Sequence, residues 1–579
     1  VFAGVLHSYR DIIELHELIP RKHIPIGIES FKELMDGEYY YVDKTLFIKD
    51  VCKEKVALYT RPRRFGKTLN MKMLYYFFSL KQKENAYLFD GLHITKDAEI
   101  LRYQNQYPVI FITLKDMKQV SFENQKAMFA ILIQEIVRNN KELLDSEEVS
   151  TFDKEQLVAY SRRTQSDVDL QNALKFLCVC LKQHYHKNVI RLIDEYDVPL
   201  QSAYVNGYYD EMADFLSGIF SAALKTNDAL EKGILTGCLR IAKESIFTGL
   251  NNFNVYSITE EPSSTCFGFT PEETLKLLEY YHLKSYGQTV KEWYDGYLFG
   301  NKEIYNPWSV LKYVHKIKQG NDTPESFWAN TSGNDINYQY IQKANSHMRE
   351  DFDLLTSGKM IEKAIKHELT YREMDKIQNI YSFLLFTGYL KVIKCIDEEK
   401  SIYQLMIPNK EINRIYTLIF EEWFQEQTEA HAENFAEALL KEDIETANKI
   451  VNDLLFTSIS YFDYDEKFYH GILIGLLCNY RIMSNQESGL GRFDIAVAPR
   501  SLSDRGMILE LKTATSLAEL KNTAKHACKQ IKDKQYIEGM LADGYEDIIG
   551  YGIAFYKKFC VIEALKDSTD TIVNDTSIK

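Results

Sequence analysis

The sequence predicts an α/β protein: two sheet-based units separated by a helical, winged-helix-like middle region. Three observations carry that expectation. An apolar strand, Lys55–Tyr59, passes through a tight turn holding Gly66-Lys67-Thr68 into an amphipathic helix, Leu69–Leu80. Further apolar strands then alternate with helices, the order that builds a parallel sheet covered on both faces. Well apart from these, residues 481–564 carry a second run of strands around one long helix.

The 579 residues exceed what one core supports, so several domains are expected. The apolar fraction of 45% and charged fraction of 26% are those of a soluble globular chain. No apolar run reaches the ~18 residues that span a bilayer. Val1–Leu6 is too short an apolar segment for a secretory leader. A cytoplasmic protein without membrane contact is therefore expected. Nine scattered cysteines, with Cys178 and Cys180 the closest pair, lack metal-ligand spacing and read as free thiols. The net charge of −14 argues against bulk adhesion to nucleic acid and leaves room for a local basic groove.

Residues 1–23 read as an amphipathic helix. The aromatic run Tyr39–Thr45 leads into a helix; it either packs on the sheet or walls off a nucleotide base. Gly66-Lys67-Thr68, between strand and helix, has the context of a phosphate-binding loop. Backbone N–H groups at the helix start point at phosphate, the helix dipole favours negative charge, Lys67 reaches the β- and γ-phosphates and the Thr68 hydroxyl holds Mg²⁺. The commoner pattern has Gly where this chain has Arg61.

Pro108–Leu114 is a second buried strand, followed by helices over Ser121–Leu144 and Asp167–His186. Asn188–Glu195 is an apolar strand ending in two acids. Asp194 suits Mg²⁺ and Glu195 suits the attacking water. A helix over Tyr209–Thr226 precedes the strand Gly233–Gly237. At its polar end Thr236 is placed to sense the γ-phosphate and Arg240 to touch it, although a surface salt bridge is the simpler role for Arg240. The nucleotide-binding set is thus Arg64, Phe65, Gly66, Lys67, Thr68, Asp194, Thr236 and Arg240.

The aromatic cluster at Trp293–Tyr297 and Tyr305–Trp308 reads as a subdomain core or a partner surface. A helix (Ile377–Phe386), a turn at Gly388 and strands Tyr389–Ile393 and Ile402–Ile407 form the winged-helix-like pattern, with connecting helices to about residue 457.

In the last region a helix (Glu466–Tyr480) precedes a strand (Arg481–Ser488), a turn at Gly489-Leu490-Gly491 and a second strand (Arg492–Val497). The third strand, Met507–Lys512, places Glu510 and Lys512 on one face because strand side chains alternate. Asp494 on the neighbouring strand can join them. Two carboxylates and a lysine suit a hard cation and a positioned water. A helix over Ser516–Leu541 supplies Lys521, Lys525, Lys529, Lys532 and Lys534, a face able to meet phosphates or simply solvent. A strand pair spans Ile548–Ala564. Glu487 and His470 are further candidates.

Several stretches together resemble the bacterial AAA-ATPase-like family, from about residue 24 to the C-terminus. They are Ile26-Gly27-Ile28 with Phe31, Tyr41–Thr45, Arg61–Thr68, Leu192–Leu200, Leu235–Gly237 with Arg240-Ile241, Trp293–Tyr297 and Tyr305–Ser309. Arg61 matches that family's own pattern. Gly489, Gly491, Arg492, Phe493 and Asp494, with Gln530 and Tyr536, resemble the PD-(D/E)xK nuclease domain that members of the family usually carry. The departures are the missing Pro before Asp494 and the six-residue Gln530-to-Tyr536 spacing.

The resemblance implies an N-terminal extension (1–23), an AAA-like P-loop ATPase domain (24–270), a helical subdomain (271–370), a winged-helix-like connector (371–460) and a nuclease-like domain (461–579). It implies ATP and Mg²⁺ as cofactors, Glu195, Asp494, Glu510 and Lys512 as catalytic residues, and Thr68, Asp194, Asp494 and Glu510 as metal ligands. DNA is the implied partner, with homo-oligomers open. The alternative is a nucleotide-dependent switch whose C-terminal domain binds without cutting.

Overall fold

Five parallel strands form the first sheet: β1 (Val56–Thr60), β2 (Val109–Thr113), β3 (Val189–Asp194), β4 (Leu230–Gly237) and β5 (Asn254–Tyr256), in the order β2-β3-β4-β1-β5. The computed structural model describes residues 22–225, 227–241, 247, 253–328, 346–376, 379–457, 466–484, 486–499 and 501–565. The helix expected over 1–23 lies outside them except for its last two residues. β1 and β3 are buried along their whole length, as interior strands of a doubly covered parallel sheet must be. Arg191, inside β3, is tolerated because its guanidinium is satisfied by Cys178 Sγ (2.9 Å) and the carbonyls of Leu174 (2.7 Å) and Ala223.

Helix α1 (Lys67–Phe78) follows β1, and α2 (Asp167–Tyr185) enters β3 from a capping box made by Ser166 and Asp169. After β3 come α3 (Val198–Asn206) and α4 (Tyr209–Leu224). β4 starts earlier than its apolar run because the Lys232 ammonium reaches the Cys52 and Glu54 carbonyls at 2.8 and 2.7 Å, so a charged residue fits the strand. With β4 between β3 and β1, the loops after all three strands gather at one sheet edge, where α/β sheets bind ligands.

The chain divides into two compact units, Val1–Asn334 with Met360–Arg414 and Asp335–Lys359 with Ile415–Lys579. In the first, Tyr294, Tyr297 and Tyr305 are core residues, and Tyr297–Phe299 (β6) pairs with Lys302–Ile304 (β7). A helix, Ile380–Phe386, precedes the hairpin of β9 (Lys391–Asp397) and β10 (Ile402–Met406); the start of that expected helix, at 377–378, is outside the described residues. β8 (Ile361–Ala364) adds a third antiparallel strand that had no sequence signal.

The second unit holds a mixed sheet, β11 (Arg481–Ser484), β14 (Ile495–Ala498), β15 (Arg505–Thr513), β16 (Asp547–Tyr556) and β17 (Phe559–Ala564), in that order, with only β15 and β16 parallel. β12 (Glu487–Ser488) and β13 (Gly491–Arg492) form a separate ribbon, which breaks the two longer strands expected there. One sheet face packs Leu509, Leu511 and Ile553 against Leu473, Leu476, Val451 and Leu455. The other carries α5 (Leu520–Asp533) and α6 (Tyr536–Ala542). The single helix expected over Ser516–Leu541 is broken because the Gly489 turn sits on the junction. The Leu490 N–H donates to the Lys534 carbonyl at 2.8 Å, and Gln535 turns to φ +54°.

Gly552 lets α5 lie directly on the sheet: a Cβ there would stand 2.1 Å from the Ala524 carbonyl oxygen. Gly552→Ala is expected to destabilise the second unit by about 2–3 kcal/mol through forced separation of helix and strand. Urea denaturation of the variant measures it.

Candidate active sites

The first site is assembled by the loop Arg61–Gly66. Gly66 caps α1 with φ +83°, directing the first amide groups of the helix outward. Lys67 is nearly buried, and its ammonium folds back onto the Arg61 and Pro62 carbonyls (3.0 and 2.9 Å) and Cys238 Sγ (3.6 Å). The Thr68 hydroxyl donates to Asp194 Oδ2 at 2.7 Å, and the Thr236 hydroxyl donates to Asp194 Oδ1 at 2.5 Å. The parallel register aligns the ends of β1, β3 and β4, so that Thr236 from the end of β4 and Thr68 from α1, which follows β1, both reach this carboxylate.

Glu195, the next residue, adopts φ +53° and lines the same cavity. Burial pushes its carboxyl pKa up, and the Asp194 charge adds to that while Lys67 opposes it. Asp197 takes the Cys238 and Leu239 N–H groups at 2.9 and 3.0 Å, tying the loop after β4 to the loop after β3. Burial raises the Asp197 pKa as well.

Arg61 explains the loop without its usual glycine. The fully buried guanidinium donates to the Thr60 and Tyr256 carbonyls (2.8 and 2.7 Å), and lies over the Phe267 and Phe299 rings. Burial lowers its pKa to about 10. Arg61→Gly, which restores the commoner pattern, is therefore expected to lower stability by about 2–4 kcal/mol, because two carbonyls lose a charged donor. A fall in the thermal midpoint with weakened nucleotide affinity is the readout.

The second site lies on the α5 face of the second sheet. Ile495 pairs with Leu509 across β14 and β15, so Asp494 falls opposite Glu510 one step on. Asp494 Oδ2 accepts the Leu511 N–H at 2.8 Å. Gln530 on α5 bridges the other two groups: its amide nitrogen donates to Glu510 Oε1, and its oxygen accepts from Lys512 Nζ at 2.7 Å. Glu510 is buried and its pKa is raised to about 7, first by that burial, then by the Asp494 charge. Tyr536 donates to the Arg492 carbonyl at 2.7 Å and holds the ribbon against the site. His470 Nε2 lies 3.4 Å from the Asp494 carbonyl oxygen and 3.0 Å from Ser484 Oγ, while Glu487 stands on the exposed ribbon.

Residues 25–247 match the family model described as "Predicted AAA-ATPase". Residues 464–565 match the PD-(D/E)XK nuclease superfamily. The chain thus carries an AAA-ATPase-like domain and a PD-(D/E)XK nuclease superfamily domain. Over 303 residues it is 26% identical to "Uncharacterized protein in vnfD 5′region" of Azotobacter chroococcum mcd 1, a match covering 51% of this chain and 52% of that protein. The chain spans about half the length of that curated relative.

The ATPase-like cavity measures ≈450 Å³ and is lined by Arg63, Arg64, Phe65, Gly66, Lys67, Thr68 and Glu195. Tyr40 and Tyr41 of the aromatic run lie on its wall, as does Trp308, which is beyond the matched domain. The Phe65 ring also packs on Tyr297 and Phe299. Arg240 lies elsewhere, paired with Glu368 at 2.6 Å and Glu260 at 3.9 Å. Sequence reasoning passed over Gln201, Cys238 and Trp308 as cavity residues, and nothing local marks them.

Thr68 and Asp194 form an oxygen donor set that fits Mg²⁺. Among the described residues no cluster of three or more His, Cys, Asp or Glu side chains forms a metal site. Glu510 Oε2 is nonetheless buried without a hydrogen-bond partner, an acceptor that a cation bound between Asp494 and Glu510 would satisfy. No helix among the described residues is long and apolar enough to cross a membrane.

Proposed function

We propose that this chain joins a Mg²⁺-dependent ATPase to a Mg²⁺-dependent nuclease acting on DNA. The observation that carries the ATPase half is the Thr68–Asp194–Thr236 hydrogen-bond chain beside Lys67 and Glu195. Lys67 turns from the loop carbonyls to the phosphates, the α1 amide groups hold the β-phosphate, and Glu195 accepts the proton of the attacking water. Asp194, fixed by two threonine hydroxyls, would hold Mg²⁺ with Thr68; Asp494 and Glu510 would hold the nuclease ion. Bound Mg²⁺ neutralises phosphate charge and polarises water.

In the nuclease half Gln530 fixes both Glu510 and Lys512, so Lys512 is positioned to orient a water toward the scissile phosphate. Lys521, Lys525, Lys529, Lys532 and Lys534 are exposed on and just after α5, and they support contact with a nucleic-acid backbone. The nine free cysteines suit a reducing cytoplasm. The test uses the full chain with ATP and with linear, circular and single-stranded DNA. Phosphate release and DNA cleavage that both need Mg²⁺ and stop with EDTA are expected. DNA binding without cleavage under Mg²⁺ or Mn²⁺ would leave the nuclease domain as a recognition module.

A further inference from the structure

Three arginines crowd the phosphate loop, and two of them are held by the protein. Arg61 is buried against the Thr60 and Tyr256 carbonyls, and Arg63 donates to Gln201 Oε1 at 2.7 Å. Arg64 differs. Among the described residues no carboxylate or carbonyl takes a hydrogen bond or ion pair from its guanidinium. It is exposed on the cavity wall with Lys67, Thr68 and Glu195, lying over the Trp308 ring 4.3 Å from the centroid. Lys44 and Lys115, also on that wall, are neutralised by Glu273 and Glu29. The Arg64 backbone has φ +69°, a conformation that glycine adopts freely and arginine does not. The backbone there favours glycine, so the side chain supplies something that outweighs the preference.

We propose that Arg64 is the cation that neutralises charge on the terminal phosphate during hydrolysis, supplied within the chain, and that Trp308 holds it aside until a nucleoside triphosphate binds. This rests on the ATP-site reading above. In the reaction the water oxygen bonds to the γ-phosphorus, and the bond from that phosphorus to the β–γ bridging oxygen breaks. ADP leaves with the electron pair, and the water proton passes to Glu195. Charge therefore grows on the bridging oxygen and spreads over the γ-oxygens, where a two-pronged guanidinium matches phosphate geometry better than an ammonium.

Trp308 is fixed independently of the loop. Asn306 caps the helix Pro307–Lys318 by accepting the Trp308 and Ser309 N–H groups at 3.0 and 3.4 Å. A cation–π contact is weaker than a charge-assisted pair with phosphate, so the triphosphate displaces the ring.

Arg64→Gly is the informative variant, because glycine suits the positive φ and the guanidinium is removed, with its aliphatic stem, without backbone strain. With the full chain, it is expected to lower kcat by about 10²-fold or more while ADP affinity stays within about threefold of wild type. Wild-type kcat per chain should not change with protein concentration. A nonhydrolysable ATP analogue should shift tryptophan emission more than ADP does, and Trp308→Phe should lose that difference. Turnover of Arg64→Gly near the wild-type rate, equal weakening of ADP and ATP binding, turnover that rises with protein concentration, or no Trp308 signal would each overturn the proposal. A wild-type chain that binds no ATP would overturn the ATP-site reading as well, which separates the two failures.

Discussion

Lys67→Ala is expected to abolish ATP hydrolysis, lowering kcat at least about 10³-fold, or about 4 kcal/mol of transition-state stabilisation. Lys67 is the nearly buried ammonium at the start of α1, and among the described residues only two loop carbonyls and a thiol take its protons. A γ-phosphate offers stronger, charged acceptors, so removing the ammonium weakens ATP binding as well as turnover. The fold should survive with a loss of about 1–3 kcal/mol, since the Arg61 and Pro62 carbonyls lose their donor. Unchanged ATP affinity in equilibrium dialysis would sink the assignment.

Glu195→Gln separates binding from chemistry. Among the described residues the Glu195 carboxyl braces no loop through a hydrogen bond, and burial raises its pKa, so the amide should keep ATP bound and slow turnover about 10²–10⁴-fold. The wild-type kcat should rise with pH through a pKa above the usual carboxylate range, and that limb should vanish in the variant. Hydrolysis by Glu195→Gln at the wild-type rate would assign the base elsewhere.

What the sequence made legible was short-range. Gly66-Lys67-Thr68 declares itself because strand, turn and helix are contiguous, and Glu510 and Lys512 share a face by parity alone. The apolar β3 ending in Asp194 and Glu195 is legible for the same reason. What stayed hidden depends on partners distant in the chain. Asp194 is held by Thr68 and Thr236 only because the parallel register aligns three strand ends. Trp308 reaches the cavity from a helix outside the ATPase-like match, and no pattern near it predicts that. Arg61 looked like a missing glycine; its burial against Tyr256 shows a different way to brace the turn. The break between α5 and α6 follows from the Gly489 turn resting on Gln535, a tertiary contact that helix propensity cannot register.

Asp494→Asn, Glu510→Gln and Lys512→Ala are each expected to lower DNA cleavage about 10³-fold or more while leaving ATP hydrolysis intact, because the three groups form one unit on the second sheet. Glu510 adds a pH signature. Its folded pKa of about 7 lies above the ordinary carboxylate value, so the fold favours the protonated acid. The stability from that preference is fully present below about pH 4 and is lost as pH rises through about 7, up to about 3 kcal/mol. In EDTA, wild-type protein should therefore lose more stability between pH 5 and pH 8 than Glu510→Gln, which does not titrate there. Mg²⁺ prefers the carboxylate and should restore wild-type stability most at the higher pH, with cleavage rising along the same limb. Urea unfolding at both pH values, with and without Mg²⁺, reads all three effects. The same pH dependence in Glu510→Gln as in wild type would remove Glu510 from the metal site and leave Lys512 and Asp494 as structural partners of Gln530 and Leu511.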